Sequence, residues 1–261
     1  MKRLFLSTVA LIGLTGLATA ADVPLRGTSA PYAAIPAFTW SGLYFGAHAG
    51  YMWNEAETRL SSVGGPILAI DIDDGTLPRR ASLEQDAAMG GVQAGYNVQF
   101  GAFVAGVEAD ISWTDADDET TYSAVDKFLF PGALTHSSFR TEIEWFGTLR
   151  ARIGMPIERA LIYVTGGLAA AEIKNTFDVN IPGIYNNSWA KRDTDWGWTI
   201  GGGVEYALTH SISVKGEYLY YDLGDRTIHA TDGIAFPGGD FIDYKFKNTG
   251  NIVRGGLNFR Y

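Results

Sequence analysis

GGVQAGYNVQFGAFVAGVEADISW, residues 90–113, decides the fold. Val92, Ala94, Tyr96, Val98 and Phe100 take every second place, with Gln93, Asn97 and Gln99 between them. A period of two is that of a β-strand, whose side chains point alternately to opposite faces. After Gly101-Ala102 the alternation resumes, with Phe103, Ala105, Val107, Ala109, Ile111 and Trp113 apolar and Glu108 and Asp110 between them. In a hairpin with a two-residue turn, residues i and i+3 stand opposite each other. Phe100 and Phe103 then become neighbours, and the two apolar rows merge into one surface. The other surface carries Gln, Asn, Glu and Asp. Two environments accept such a ribbon: a sheet with its polar face in water, or a barrel with lipid outside and a narrow polar interior.

The N-terminus sets the compartment. Lys2 and Arg3 precede an uncharged apolar run from Leu4 to Leu17, and Ala18-Thr19-Ala20 has the small-x-small form of a cleavage site. Residues 1–20 therefore read as a signal peptide. The run is shorter than the ~20 residues of a membrane-spanning helix, and no later segment supplies one. Loss of Lys2 and Arg3 takes the formal net charge from -9 to -11. An acidic chain without a basic tract is a poor partner for nucleic acid, where clustered Lys and Arg supply most of the affinity. With no cysteine, disulfides, thiolate nucleophiles and Cys-ligated metals are excluded. Glycine, 32 of 261 residues, is well above the roughly 7% of an average protein, which together with 13% aromatics favours a β architecture.

Residues 21–39 hold Pro24, Pro31 and Pro36 without periodicity and read as a flexible periplasmic leader. From residue 40 to 261, alternation is traced in eight segments: 40–53, 88–100, 103–114, 142–154, 160–173, 195–207, 211–222 and 251–261. These match the ~9 to 11 residues of a tilted membrane strand. Connections 101–102, 155–159 and 208–210 are short, whereas 54–87, 115–141, 174–194 and 223–250 are long, in strict alternation. This predicts an all-β, eight-stranded antiparallel barrel of outer-membrane type, with tight periplasmic turns and four long external loops. When each segment's more apolar row is set outward, Glu108, Asp110, Arg150, Arg152, Glu205, Lys215, Glu217, Arg254 and Arg260 all point inward. A barrel of eight strands leaves an interior that side chains just fill. The nine are expected to form an ion-pair network that plugs the lumen, the alternative being a thin water-filled pore given some room by inward Gly46, Gly50, Gly91, Gly95, Gly201 and Gly203. Trp53, Trp113, Trp145, Trp196 and Tyr220 gather at the long-loop ends and Trp40, Phe100, Phe103, Tyr206, Phe259 and Tyr261 at the short-turn ends, as two interfacial belts.

The terminal run Arg254-Gly-Gly256-Leu-Asn-Phe259-Arg-Tyr261 resembles the outer-membrane assembly signal, in which a polar residue, a glycine and alternating hydrophobics end in an aromatic. Together with Trp40-Ser-Gly42-Leu-Tyr44-Phe-Gly46, Trp145-Phe-Gly147 and Tyr163-Val-Thr-Gly166-Gly167, it makes residues 40–261 similar to the small outer-membrane β-barrel proteins of α-proteobacteria, distantly related to the OmpA barrel. Major surface antigens and haemin-binding members belong to that family. The resemblance implies residence in the outer membrane and, as partners, membrane lipid and lipopolysaccharide, the barrel assembly machinery and periplasmic chaperones. It also raises haemin as a ligand, with His136 and His229 in the expected external loops as candidate iron ligands. The residues themselves give no catalytic triad, since His48, His136, His210 and His229 lack a sequence context of nucleophile and acid. The run Asp71-Ile-Asp73-Asp74-Gly75 puts Gly75 and Ser82 where a calcium loop needs ligands. No cofactor or metal and no enzymatic activity are expected. The function that follows is a structural surface protein of the envelope, with acidic external loops; a small porin or a haemin receptor are the alternatives.

Overall fold

A computed structural model describes residues 38–65, 69, 72, 73, 75, 77–127, 131–231 and 240–261. The signal peptide assigned to residues 1–20 and nearly all of the leader lie outside them. Eight strands follow one another: β1 (Gly42–Gly64), β2 (Arg80–Phe100), β3 (Phe103–Val125), β4 (Leu134–Ile157), β5 (Ala160–Ile181), β6 (Tyr185–Ala207), β7 (Ile212–Ala230) and β8 (Phe241–Arg260). Each pairs antiparallel with the next, and β1 pairs with β8, so the sheet closes into a barrel. The opening hairpin has the register derived from its alternation: Phe100 faces Phe103, Asn97 faces Gly106 and Gln93 faces Asp110. Gly101 has φ +57°, the positive angle that this two-residue turn needs at its first central position.

The lower part of the barrel wears its apolar side chains outside. Val107, Leu149, Ile153, Val164, Leu168, Ile200, Val204 and Leu257 are exposed there, a patch far larger than a soluble protein leaves bare. Exposed Trp113, Trp196 and Trp198 stand at its upper edge, and Phe100, Phe103, Tyr206, Phe259 and Tyr261 at its lower edge. Trp40 is not among them, contrary to the belt inferred from sequence. It is fully buried, packed with Val104, Leu161, Tyr163, Ala207 and Phe38 across the short-turn end of the barrel. The chain enters β1 from beneath: the Trp40 amide donates to Gln99 Oε1 at 2.9 Å, and the Gln99 amide donates to Ser41 Oγ at 2.9 Å. That entry carries the indole inward as a plug.

The four long connections expected from sequence are mostly strand. Strands of 19 to 24 residues run well beyond the ~9 to 11 that a bilayer requires. In these upper reaches the pattern inverts, because water replaces lipid outside. In β4, Phe139, Thr141 and Ile143 are buried while Arg140 and Glu142 look outward. Above the lipid, the interior holds a core of the soluble kind: Phe139, Phe177, Val179, Ile181, Ile228, Ile242, Tyr244 and Phe246, capped by Ile72 and Leu77 from the β1–β2 connection. Tyr244 donates to the Pro78 carbonyl at 2.7 Å, and burial raises its phenol above the usual range. Bulges also switch the parity, between Ile143 and Trp145 in β4 and between Asp222 and Asp225 in β7, where Gly224 has φ +76°. A single-parity reading therefore stops short at both places.

The short connection expected at 155–159 contracts to two residues, with Ile157 opposite Ala160. It places Glu158 at φ +53°, a left-handed conformation that costs a non-glycine residue roughly 1–2 kcal/mol. Glycine would relieve that cost while losing roughly 0.5–1 kcal/mol in chain entropy. Glu158→Gly is therefore expected to raise the urea midpoint of the folded barrel slightly, by the equivalent of about 0.5–1 kcal/mol. A lowered midpoint would show that the turn is not strained.

Candidate functional site: the charged barrel interior

The inward rows of β3, β4, β6, β7 and β8 bring opposite charges together first by register. Glu108 stands across from Arg150, Glu205 from Lys215, and Glu217 from Arg254. Cross-strand neighbours of opposite sign attract, so the hairpin pattern alone assembles three pairs. The closed barrel then folds these pairs onto one another across the lumen. Lys215 Nζ reaches Glu108 Oε1 at 2.8 Å rather than staying with Glu205. Arg254 donates to Asp110 at 2.9 and 3.0 Å and to Glu217 at 2.7 Å. Arg150 binds Glu108 at 2.5 Å, Asp110 at 3.0 Å and Glu217 at 3.0 Å. Arg152 joins Glu205 at 3.1 Å.

The result is eight buried charges, four carboxylates against four cations, with no net charge. Buried charges are tolerable only when paired and hydrogen-bonded on their remaining atoms; neighbouring polar groups meet most of that need, while Arg150 Nη1 rests on its ion pair with Glu217 and Arg152 Nη2 finds no hydrogen-bond partner among the described residues. Tyr44 donates to Glu108 at 2.7 Å and Tyr163 to Glu217 at 3.0 Å, while the Arg152 guanidinium lies over both rings at 4.6 and 5.3 Å. Thr148 donates to Asp110 at 2.5 Å, and Ser213 and Asn258 donate to Glu205 at 2.5 and 2.9 Å. Tyr44 was legible as an inward residue between Leu43 and Phe45. Tyr163 was not, because β5 is apolar on both rows in this region.

Arg260 departs from the sequence expectation. It is buried at the short-turn end, below the network, where its guanidinium lies over Phe38 and Trp40 at 4.6 and 4.5 Å and approaches the Thr39 and His210 carbonyls at 3.4 Å. It forms no ion pair among the described residues. The plug residues intervene, and a guanidinium stacks on aromatic faces as readily as it pairs. The inward glycines also leave less room than their composition suggests. A side chain at Gly95 would collide with the Tyr44 ring, one at Gly203 with Tyr163, one at Gly91 with His48 and one at Gly46 with Asn258. Their missing side chains are the spaces these larger groups occupy.

His48 lies beside the network, its Nε2 2.8 Å from Ser112 Oγ and its Nδ1 3.1 Å from Gln93 Oε1. Ser112 is fully buried in the wall, and the third group is an amide where a hydrolytic relay uses a carboxylate. His136 and His229 sit on the outer faces of β4 and β7, with β5 and β6 between them. Each has its own partner: Ser123 for His136 at 2.7 Å, and Asp243 for His229 at 2.6 Å. The structure does not bring the two together. Among the described residues no cluster of His, Asp and Glu could hold a metal ion. In the terminal segment, Phe259 and Tyr261 point outward, Gly256 lies against the Ala47 carbonyl, and Arg254 faces inward as part of the network.

Comparison with known proteins agrees with this architecture. Residues 8–251 match the family model for the outer membrane protein beta-barrel domain. The 31 kDa outer-membrane immunogenic protein of Brucella melitensis is 33% identical over 264 residues, spanning 100% of both chains. The 25 kDa outer-membrane immunogenic protein of Brucella canis is 29% identical over 237 residues, covering 87% of this chain and 91% of its own. Among solved structures, the outer membrane protein OprG from Pseudomonas aeruginosa aligns over 85% of this chain and 97% of its own at 10% identity, with a TM-score of 0.49. A lipid-matched wall, a closed sheet of eight strands and relatedness along the full chain thus make this protein a member of the outer-membrane β-barrel family, resident in the outer membrane.

Proposed function

We propose that the protein is a structural surface barrel of the envelope, with a closed lumen and with its outward activity carried by the hairpins above the membrane. The observation that carries this reading is the layered interior: the Trp40 plug, the neutral eight-charge network, and two apolar layers above it, centred on Phe146 and Tyr221 and on Phe139 and Phe246. Residues 1–20 serve as the export signal and 21–39 as a periplasmic leader. The terminal pattern of Arg254, Gly256, Phe259 and Tyr261 serves recognition by the assembly machinery, with chaperones escorting the unfolded chain. Both ends of the folded part lie at the short-turn side, so the long hairpins face outward. The related Brucella proteins are named as immunogenic, which suits walls that stand in reach of outside molecules. Haemin binding through His136 and His229 gains no support from their separation.

Single-channel recording of the refolded barrel in a planar bilayer tests the closed lumen. No conductance steps are expected from protein shown to be folded by its heat-modifiable gel mobility. Reproducible steps would reverse the reading in favour of a small porin, with Arg150 and Arg152 lining its passage.

A further inference from the structure

The ladder between β6 and β7 is the shortest in the barrel, and it stops while both strands continue. Trp198 to Ala207 pair with Ser213 to Asp222. Above that point β6 runs on to Tyr185 along β5, and β7 runs on to Ala230 along β8. Among the described residues these two upper stretches exchange no backbone hydrogen bond. Gly197 still lies against the Asp222 carbonyl, and the bulge between Asp222 and Asp225 bends β7 just above it. What crosses the seam from there upward is side chain. Arg226 reaches buried Asp195, and Asp193 at 3.8 Å, and the Trp189 indole donates to the Thr231 carbonyl at 3.3 Å. Water enters between. Lys191 and Asp193 share the inward row of β6 with Asp195 and stand opposite Asn175 and Ile173, which are 3% and 2% exposed, yet Lys191 and Asp193 are open to solvent. A groove of about 450 Å³ follows the parted strands, lined by Trp189 and Lys191 of β6 and by Thr227, Ile228 and His229 of β7.

An open strand edge presents backbone donors and acceptors in a row that repeats every ~6.8 Å, two residues at a time. Another extended backbone matches that repeat, whereas a sugar or a headgroup does not. A second barrel does not fit either. Two upright copies related by an axis along the membrane normal bring their β6 edges together running in the same direction, and these cross at about twice the ~40° strand tilt, too obliquely for a ladder. We infer that the seam accepts a strand from another polypeptide, an extended segment that pairs antiparallel with β6 along residues 191–197 and continues the ladder that ends at Trp198. The inward side chains of that segment meet Ile228 and Asn175, so short apolar or hydroxyl residues suit them. Lys191 and Asp193 are of opposite sign and 3.6 Å apart, which gives no preference for net charge. The inference rests on the topology proposed above, in which the long hairpins face outward and so meet foreign chains.

The chain has no cysteine, so the variants K191C, T227C and R140C each take a benzophenone label at one place. The last lies on the closed β3–β4 wall, where Arg140 pairs with Glu119. The full barrel in micelles, its fold verified by heat-modifiable mobility, is mixed with a fluorescent ten-residue peptide of alternating threonine and valine and irradiated. Cross-linking from K191C and T227C is expected to exceed that from R140C by about tenfold, and to fall about tenfold when the peptide amides are N-methylated and can no longer donate. It should hold steady from about 0.05 to 0.5 M salt, since no ion pair drives it. Equal cross-linking at the three positions, or an N-methylated peptide that cross-links as well as its parent, would overturn the seam as a strand acceptor. Barrel-to-barrel cross-links from K191C in place of peptide would overturn the peptide in favour of a second copy, and displacement by maltoheptaose would do so in favour of a glycan. Cross-linking in micelles is blind to orientation and conductance to the seam, so failure here and failure of the closed-lumen reading are separate results.

Discussion

Replacing Arg254 by Met is expected to destabilise the barrel by about 3–5 kcal/mol, as removal of one partner from a buried charge network does. Arg254 is fully buried and holds Asp110 through two bonds and Glu217 through a third. Methionine fills much of the same volume, so the loss comes from charge: a neutral group of four acids and four cations becomes net negative in a place that water does not reach. Asp110 would keep Arg150 and Thr148, and Glu217 would keep Arg150 and Tyr163, which limits the damage. The double variant R254M/D110N restores neutrality and is expected to recover about 1–3 kcal/mol of the loss. Urea unfolding in phospholipid vesicles, followed by gel mobility, measures both. A single variant within about 1 kcal/mol of the native protein would show that water or counter-ions reach the lumen.

Leu149→Arg probes the opposite face of the same strand. Leu149 is 57% exposed, pairs with Ala109 and Leu168, and adjoins inward Arg150 in sequence. An Arg facing hydrocarbon at mid-depth costs about 2–4 kcal/mol, so the vesicle-embedded barrel should lose that much. Thr194→Arg, which is exposed above the belt opposite Glu172, should be nearly neutral. The contrast is the measurement: the same residue type is costly against lipid and harmless against water. Similar values for the two variants would mean that the lipid band has been placed at the wrong height.

The membrane-crossing part of the fold was readable because lipid imposes a rule that sequence displays directly. An outward row must be apolar and an inward row can be polar, so Val107 and Glu108, or Leu149 and Arg150, announce their faces by alternation. Above the belt that rule inverts. Phe139 and Phe177 turn inward, Arg140 and Lys174 turn outward, and the bulges at Ile143/Trp145 and Asp222/Asp225 shift the count by one. A reader following lipid-facing parity therefore takes long strands for loops. Trp40 misled for a related reason: an aromatic at the edge of a barrel can anchor in an interface or close the end, and only the path of the chain through Ser41 and Gly42 chooses.

By itself the sequence determined the number of strands, the tight hairpin at Gly101-Ala102, and which charges face inward, since each depends on local periodicity or on immediate neighbours. Tertiary structure alone decided which charge meets which. Lys215 binds Glu108 across the lumen in preference to its cross-strand neighbour Glu205. Arg260 is diverted to the rings of Phe38 and Trp40, and Arg59, Arg80 and Lys245 line up on one outer rung. Those contacts join residues far apart along the chain, and they exist only once the first and last strands meet and curvature brings opposite walls within ion-pair distance.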